Sequence, residues 1–152
     1  MTLFFVVLIG FLAGLRTFTP PAAVAWAAHL GWLKLGMLAV MGSTAAVAIL
    51  TLLAAAELVW DKLPRTPNRT ALRGLIARVI AGKVSGMCIA VAAGHSLWLG
   101  AVCGIVGALA GCFGGYFART RTVSALRSPD WPIAVLEDLV AVAGSLWVVT
   151  RF

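Results

Sequence analysis

LFFVVLIGFLAGLRTFTPPAAVAWAAHLGWL, residues 3–33, is the stretch on which the fold turns. It is almost wholly apolar, yet too long for one crossing. At about 1.5 Å per residue a continuous helix of this length would measure about 46 Å, against about 30 Å of hydrocarbon. The segment must therefore tilt, protrude or break. A break is written at Thr17-Phe18-Thr19-Pro20-Pro21. Thr19 suits the N-cap, and Pro20 suits the first position of a second helical piece running to Leu33, because the N–H that proline lacks is one that a first turn leaves unbonded. A simple proline kink within one helix is the alternative.

Outward from this stretch, four more apolar segments follow: Leu35 to Trp60, Leu72 to Ala93, Leu97 to Ala118 and Trp131 to Val149. Leu63-Pro64-Arg65-Thr66-Pro67-Asn68 cannot continue a helix. Gly94-His95-Ser96 reads as a tight turn, which makes the third and fourth segments antiparallel neighbours. Ser128-Pro129-Asp130-Trp131-Pro132 opens the last helix, with Asp130 as N-cap and Trp131 as an interfacial anchor. The expectation is an all-α, polytopic membrane bundle of about five transmembrane helices, forming one domain over residues 1–152, with its first helix broken or kinked near Thr19-Pro20-Pro21.

Composition excludes the soluble classes. Hydrophobic residues make up 62% of the chain and charged residues only 11%, with a mean hydropathy of +1.02, so a soluble fold would need a core too large for 152 residues. The net charge of +7 does not point to nucleic acid, because the basic residues gather between Lys62 and Arg78 and between Arg119 and Arg127, where positive charge fixes topology. By the positive-inside rule these connections face the cytoplasm. With five crossings the amino terminus is then cytoplasmic and the carboxyl terminus outside, in the inner membrane. Met1 to Ala13 has no basic n-region and no AxA site, so it reads as a retained first span. Cys88, Cys103 and Cys112 lie in apolar segments without ligand spacing and read as packing residues.

Six ionisable residues sit inside the apolar segments: Arg16, Glu57, Arg78, Lys83, Glu137 and Asp138. Hydrocarbon is a poor solvent for each, so they should face partners, a cavity or headgroups. Arg78 falls roughly 8 Å and Lys83 roughly 15 Å from the cytoplasmic end of their segment, and Glu137 and Asp138 fall roughly 9 to 11 Å into theirs. These heights overlap. Adjacent on a helix, Glu137 and Asp138 point about 100° apart and need different partners. One is expected to pair with Arg78 or Lys83, and the other to meet a further partner, water or substrate. A closed ion-pair network that only fixes helix register is the alternative.

Two further patterns carry chemistry. Glu57 and Asp61 are four apart on one helical face, with Lys62 following, an arrangement able to hold a divalent cation and through it a phosphate, or simply to be a solvated helix end. The start of a helix at Thr19-Pro20 presents free N–H groups and a positive dipole end to an anion, beside Arg16. Separately, Gly100, Gly104, Gly107, Gly111 and Gly115 form a stripe that lets another helix approach closely, within the bundle or across a homo-oligomer seam. No catalytic triad order, P-loop or dinucleotide fingerprint is present, nothing implies a cofactor, and Asn68-Arg69-Thr70 is a formal glycosylation sequon on the expected cytoplasmic side.

The phrases GLRTFTPP (14–21), ELVWDKLP (57–64) and PIAVLED (132–138) resemble those of a family of small bacterial inner-membrane proteins whose domain has no known function. The resemblance covers almost the whole chain. It implies no activity, and it marks Arg16, Glu57, Asp61, Lys62, Glu137 and Asp138 as positions of interest.

Three functional classes follow. The first is a transporter or channel-like binder of a polar or anionic substrate, with Arg16, Thr19, Arg78 and Lys83 binding and Glu137 or Asp138 accepting a coupling proton. The second is an assembly protein that forms a homo-oligomer through the glycine-rich helix. The third is a membrane enzyme acting on a lipid phosphate at Glu57, Asp61 and Lys62. The partners expected are the bilayer, a second copy and a small anionic or lipid-phosphate substrate, with no nucleic acid.

Overall fold

The computed structural model describes residues 1–60, 72–126 and 130–152. Among these all the secondary structure is helical: α1 (Thr2–Leu15), α2 (Thr19–His29), a 3-10 turn (Gly36–Gly42), α3 (Thr44–Trp60), α4 (Leu72–Ala92), α5 (Leu97–Leu126) and α6 (Asp130–Val149). The connection at 61–71 and the residues before Asp130, where a proline-rich loop and the Ser128-Pro129 entry were expected, lie outside the described residues.

The opening stretch breaks where the sequence places the break, but not in the way expected. α1 stops at Leu15, and Arg16 takes extended backbone with φ −134° and ψ 121°. The N-cap of α2 is Phe18, not Thr19, so Thr19 is the first helical residue and the two prolines fill the unbonded first turn. Neither helix continues the other's path. Along α6, Arg16 pairs with Asp138, Leu12 packs on Gly144, and Phe5 stacks edge-on against Trp147 and Phe152, so α1 and α6 are antiparallel. Trp32, three residues past α2, shares a cavity wall with Val149 and Phe152. The chain has therefore returned to the end from which α1 set out, and α1 with α2 forms a re-entrant pair whose tip, Arg16-Thr17-Phe18, is inside the bundle.

This fold-back revises the expected count of five spans. Among the described residues, α4, α5 (over Leu97–Thr122) and α6 are long and apolar enough to cross a membrane, and the count is four if the 3-10 turn and α3, bent by 59° at their junction, are taken as one span. α1, with 14 residues, rises about 21 Å and is too short. The second expected segment is also not one helix. Ser43 interrupts it in extended backbone and caps α3 through its hydroxyl, which accepts the Ala46 N–H at 3.2 Å. The amino- and carboxyl-terminal segments pack together at one end of the bundle, where Phe5 meets Phe152 at 5.8 Å between ring centroids.

α1 is the buried centre, packed on α4, α5 and α6. It approaches α5 so closely because the contact is made by glycine. A Cβ on Gly107 would stand 2.8 Å from the Phe11 nitrogen, and one on Gly14 would stand 2.5 Å from that of Cys112. α4 reaches the same helix from its other flank: a Cβ on Gly86 would meet the Gly100 oxygen at 2.5 Å. The register rises together along α1 and α5 and oppositely along α4 and α5. The turn between α4 and α5 closes as a Schellman motif, with Gly94 at φ 75°, its N–H on the Val91 oxygen (3.0 Å) and the His95 N–H on the Ala90 oxygen (2.8 Å).

Candidate functional site at the tip of the re-entrant pair

A chain that reverses inside a bilayer leaves backbone N–H groups with no helical partner, and hydrocarbon supplies none. Here they are met by a side chain from another helix. The Glu57 carboxylate, near the end of α3, accepts the N–H of Thr17 through Oε1 at 2.7 Å and that of Phe18 through Oε2 at 2.8 Å. It stands at the positive end of α2, where an anion is favoured. α3 is held there by α2 itself: Trp26 Nε1 donates to Thr51 Oγ1 at 3.0 Å, and His29 Nδ1 donates to the Gly42 oxygen at 2.8 Å. α2 and α3 thus run antiparallel, which brings Glu57 to the tip.

Among the described residues, two ion pairs stand beside the tip. Arg16 is fully buried, and its guanidinium pairs with Asp138 of α6. Glu137, one residue earlier and about 100° around, faces Arg119 of α5, with Nη1 to Oε2 at 3.8 Å. Arg78 is buried on α4 about one turn above Gly82, and Gly82 lies against Gly10 of α1. The tip is thus engaged from α3 by Glu57 and from α6 by Asp138, with Glu137 of α6 paired to Arg119 of α5 and Arg78 buried on α4.

Not all the expected residues join this cluster. Thr19 is buried in the first turn of α2 without a side-chain cap. Lys83 is exposed, about 140° around α4 from Arg78, and outside the cluster. Asp61 and Lys62 lie outside the described residues. Among the described residues no three His, Cys, Asp or Glu side chains gather as metal ligands. Gly100, Gly104, Gly107 and Gly111 are taken up by α1 and α4 of the same chain, and Gly115 is buried. The surface cavity of about 430 Å³ lined by Trp32, Val149, Thr150 and Phe152 is at the far end of the bundle.

Sequence reading missed Arg119, counted as a topology-setting residue at a span end. The signal was there: two adjacent carboxylates at one height call for two cations from different helices, and α5 extends to Leu126 instead of stopping at Ala118. It also missed the acceptor of the tip N–H groups. Glu57 was read with Asp61, along its own helix, whereas its partners are some forty positions earlier.

No curated protein and no solved structure matches this chain. The family described as "Domain of unknown function (DUF4126)" matches residues 3–150, nearly the whole length and every helix that builds the tip. With the helical membrane architecture and its re-entrant pair in view, the chain belongs to the DUF4126 family.

Proposed function

We propose that this membrane protein is a small carrier of an anionic solute, with the tip of the re-entrant pair as the element that binds it. One observation carries the reading: the two converging N–H groups of Thr17 and Phe18 hold a carboxylate that arrives from a different helix. A solute carboxylate or phosphate has the same acceptor geometry as Glu57 and can replace it when α3 moves aside. Arg16 supplies the countercharge once Asp138 takes up a proton and releases it, which couples solute entry to proton movement. Orientation follows from charge. The end of the bundle that holds Arg73, Arg119 and Arg121, joined in sequence by Lys62, Arg65, Arg69 and Arg127, faces the cytoplasm of a bacterial inner membrane, and both termini face outward.

The test is uptake into proteoliposomes under an imposed pH gradient, with a panel of labelled carboxylates and phosphate. Gradient-dependent uptake that Asp138→Asn uncouples and Glu57→Gln alters supports the reading. Absence of flux for the whole panel, or gradient-dependent flux in both variants equal to that of the wild type, defeats it.

A second reading, an assembly protein whose charges only fix helix register, is favoured by the engagement of Glu57, Glu137 and Asp138 with partners in the same chain. It expects a detergent-stable oligomer formed through a surface other than the glycine stripe. A monomer by light scattering counts against it.

A further inference from the structure

Lys83 is out of place in a membrane helix. It lies 11 residues after Leu72 and 9 before Ala92 on α4, about 17 Å and about 14 Å from the two ends, and its side chain is exposed. It makes no hydrogen bond or ion pair with the described residues. A four-carbon stem that starts at mid-span does not bring the ammonium to either headgroup layer. The surrounding face is a helix-sized apolar strip, with Ile76 and Ile80 exposed and Met87 half-buried. Charged side chains at this depth are usually turned inward and paired, and the neighbouring Arg78 obeys that rule while Lys83 does not.

We propose that this face of α4 docks a membrane-spanning helix of a different protein, one that carries a carboxylate near the middle of its span. Complementary charge in a low-dielectric seam selects such a partner over a purely apolar helix. A second copy of this chain is the poorer fit. Of the five acidic residues, Glu57, Glu137 and Asp138 are engaged around the tip, and Asp61 and Asp130 stand in sequence just outside the apolar segments that end at Trp60 and begin at Trp131. Two copies docked through this face would set ammonium against ammonium.

The experiment uses the full-length protein, donor-labelled, in phosphatidylcholine bilayers at pH 8. Its probes are acceptor-labelled single-span Leu/Ala peptides with a central Asp, Asn or Lys. The Asp peptide is expected to associate at least tenfold more tightly than the Asn peptide, and the Lys peptide more weakly than either. Lys83→Met is expected to erase the Asp preference while keeping the wild-type unfolding midpoint, and Lys83→Glu to reverse it in favour of the Lys peptide. The comparison of three peptides on the wild type needs no variant to fold. Equal binding of the Asp and Asn peptides, or a preference that survives Lys83→Met, overturns the proposal. So does energy transfer between copies of the protein that depends on Lys83, which would assign the face to self-association. A preference that disappears when anionic phosphatidylglycerol is added to the bilayers would also overturn it, by assigning Lys83 to a lipid phosphate.

Discussion

Replacing Glu57 by Gln isolates the bond that holds the re-entrant tip. The carboxylate offers one oxygen to each of two N–H groups, at 2.7 and 2.8 Å. The amide has one acceptor oxygen and a donor NH₂, so one N–H keeps a neutral bond and the other faces a donor. Exchanging a charged for a neutral bond costs about 1 kcal/mol, and leaving the second N–H unbonded costs about 1–3 kcal/mol. Glu57 is half-buried, which favours the lower part of the sum. The expected destabilisation is therefore about 2–3 kcal/mol, and opening of the tip becomes more frequent by roughly thirtyfold or more, at about 1.4 kcal/mol per tenfold. Hydrogen exchange in micelles reads this directly at the amides of Thr17 and Phe18, with Val24 deeper in α2 as the internal control. Unchanged protection at the two tip amides, together with an unchanged unfolding midpoint, would refute the capping role given to Glu57.

Other consequences follow from the same geometry. Asp138→Asn leaves the buried Arg16 guanidinium without its carboxylate and is expected to cost about 3–5 kcal/mol, whereas the double change Arg16→Met with Asp138→Leu, which removes both charges, should recover most of that loss in a denaturant titration. At Gly111 a Cβ would lie 2.8 Å from the Phe11 carbonyl carbon, so Gly111→Val should cost more than about 3 kcal/mol or prevent folding. Three residues on, Gly114 has only a Phe11 ring carbon at 3.9 Å, and Gly114→Ala is expected to be neutral or to stabilise by up to about 1 kcal/mol in the same titration. Topology reporters fused in turn to the amino and carboxyl termini should read the same side of the membrane; opposite sides would break the re-entrant reading of α1 and α2.

Much of this protein is decided locally and is legible without a structure. A chain that is 62% hydrophobic, with apolar runs near twenty residues, has to form membrane helices, because only a helix bonds its own backbone in hydrocarbon. Arg16 through Pro21 stop α1 by local chemistry: consecutive prolines lack the N–H groups that a continuing helix needs. Gly94 likewise marks the turn between α4 and α5.

Tertiary structure decided where the broken chain goes next, because a break says that a helix ends and carries no direction. The fold-back depends on Glu57, about forty residues away, meeting the stranded N–H groups, and on Asp138, still further along, neutralising Arg16. The height of a charge along a helix can be counted from sequence, but its azimuth relative to other helices cannot. For that reason Arg78 and Lys83, five residues apart and alike on paper, end on opposite sides of α4, one in the bundle and one facing out. Burial periodicity fixes neither, since a membrane helix is apolar on both its inner and its outer face.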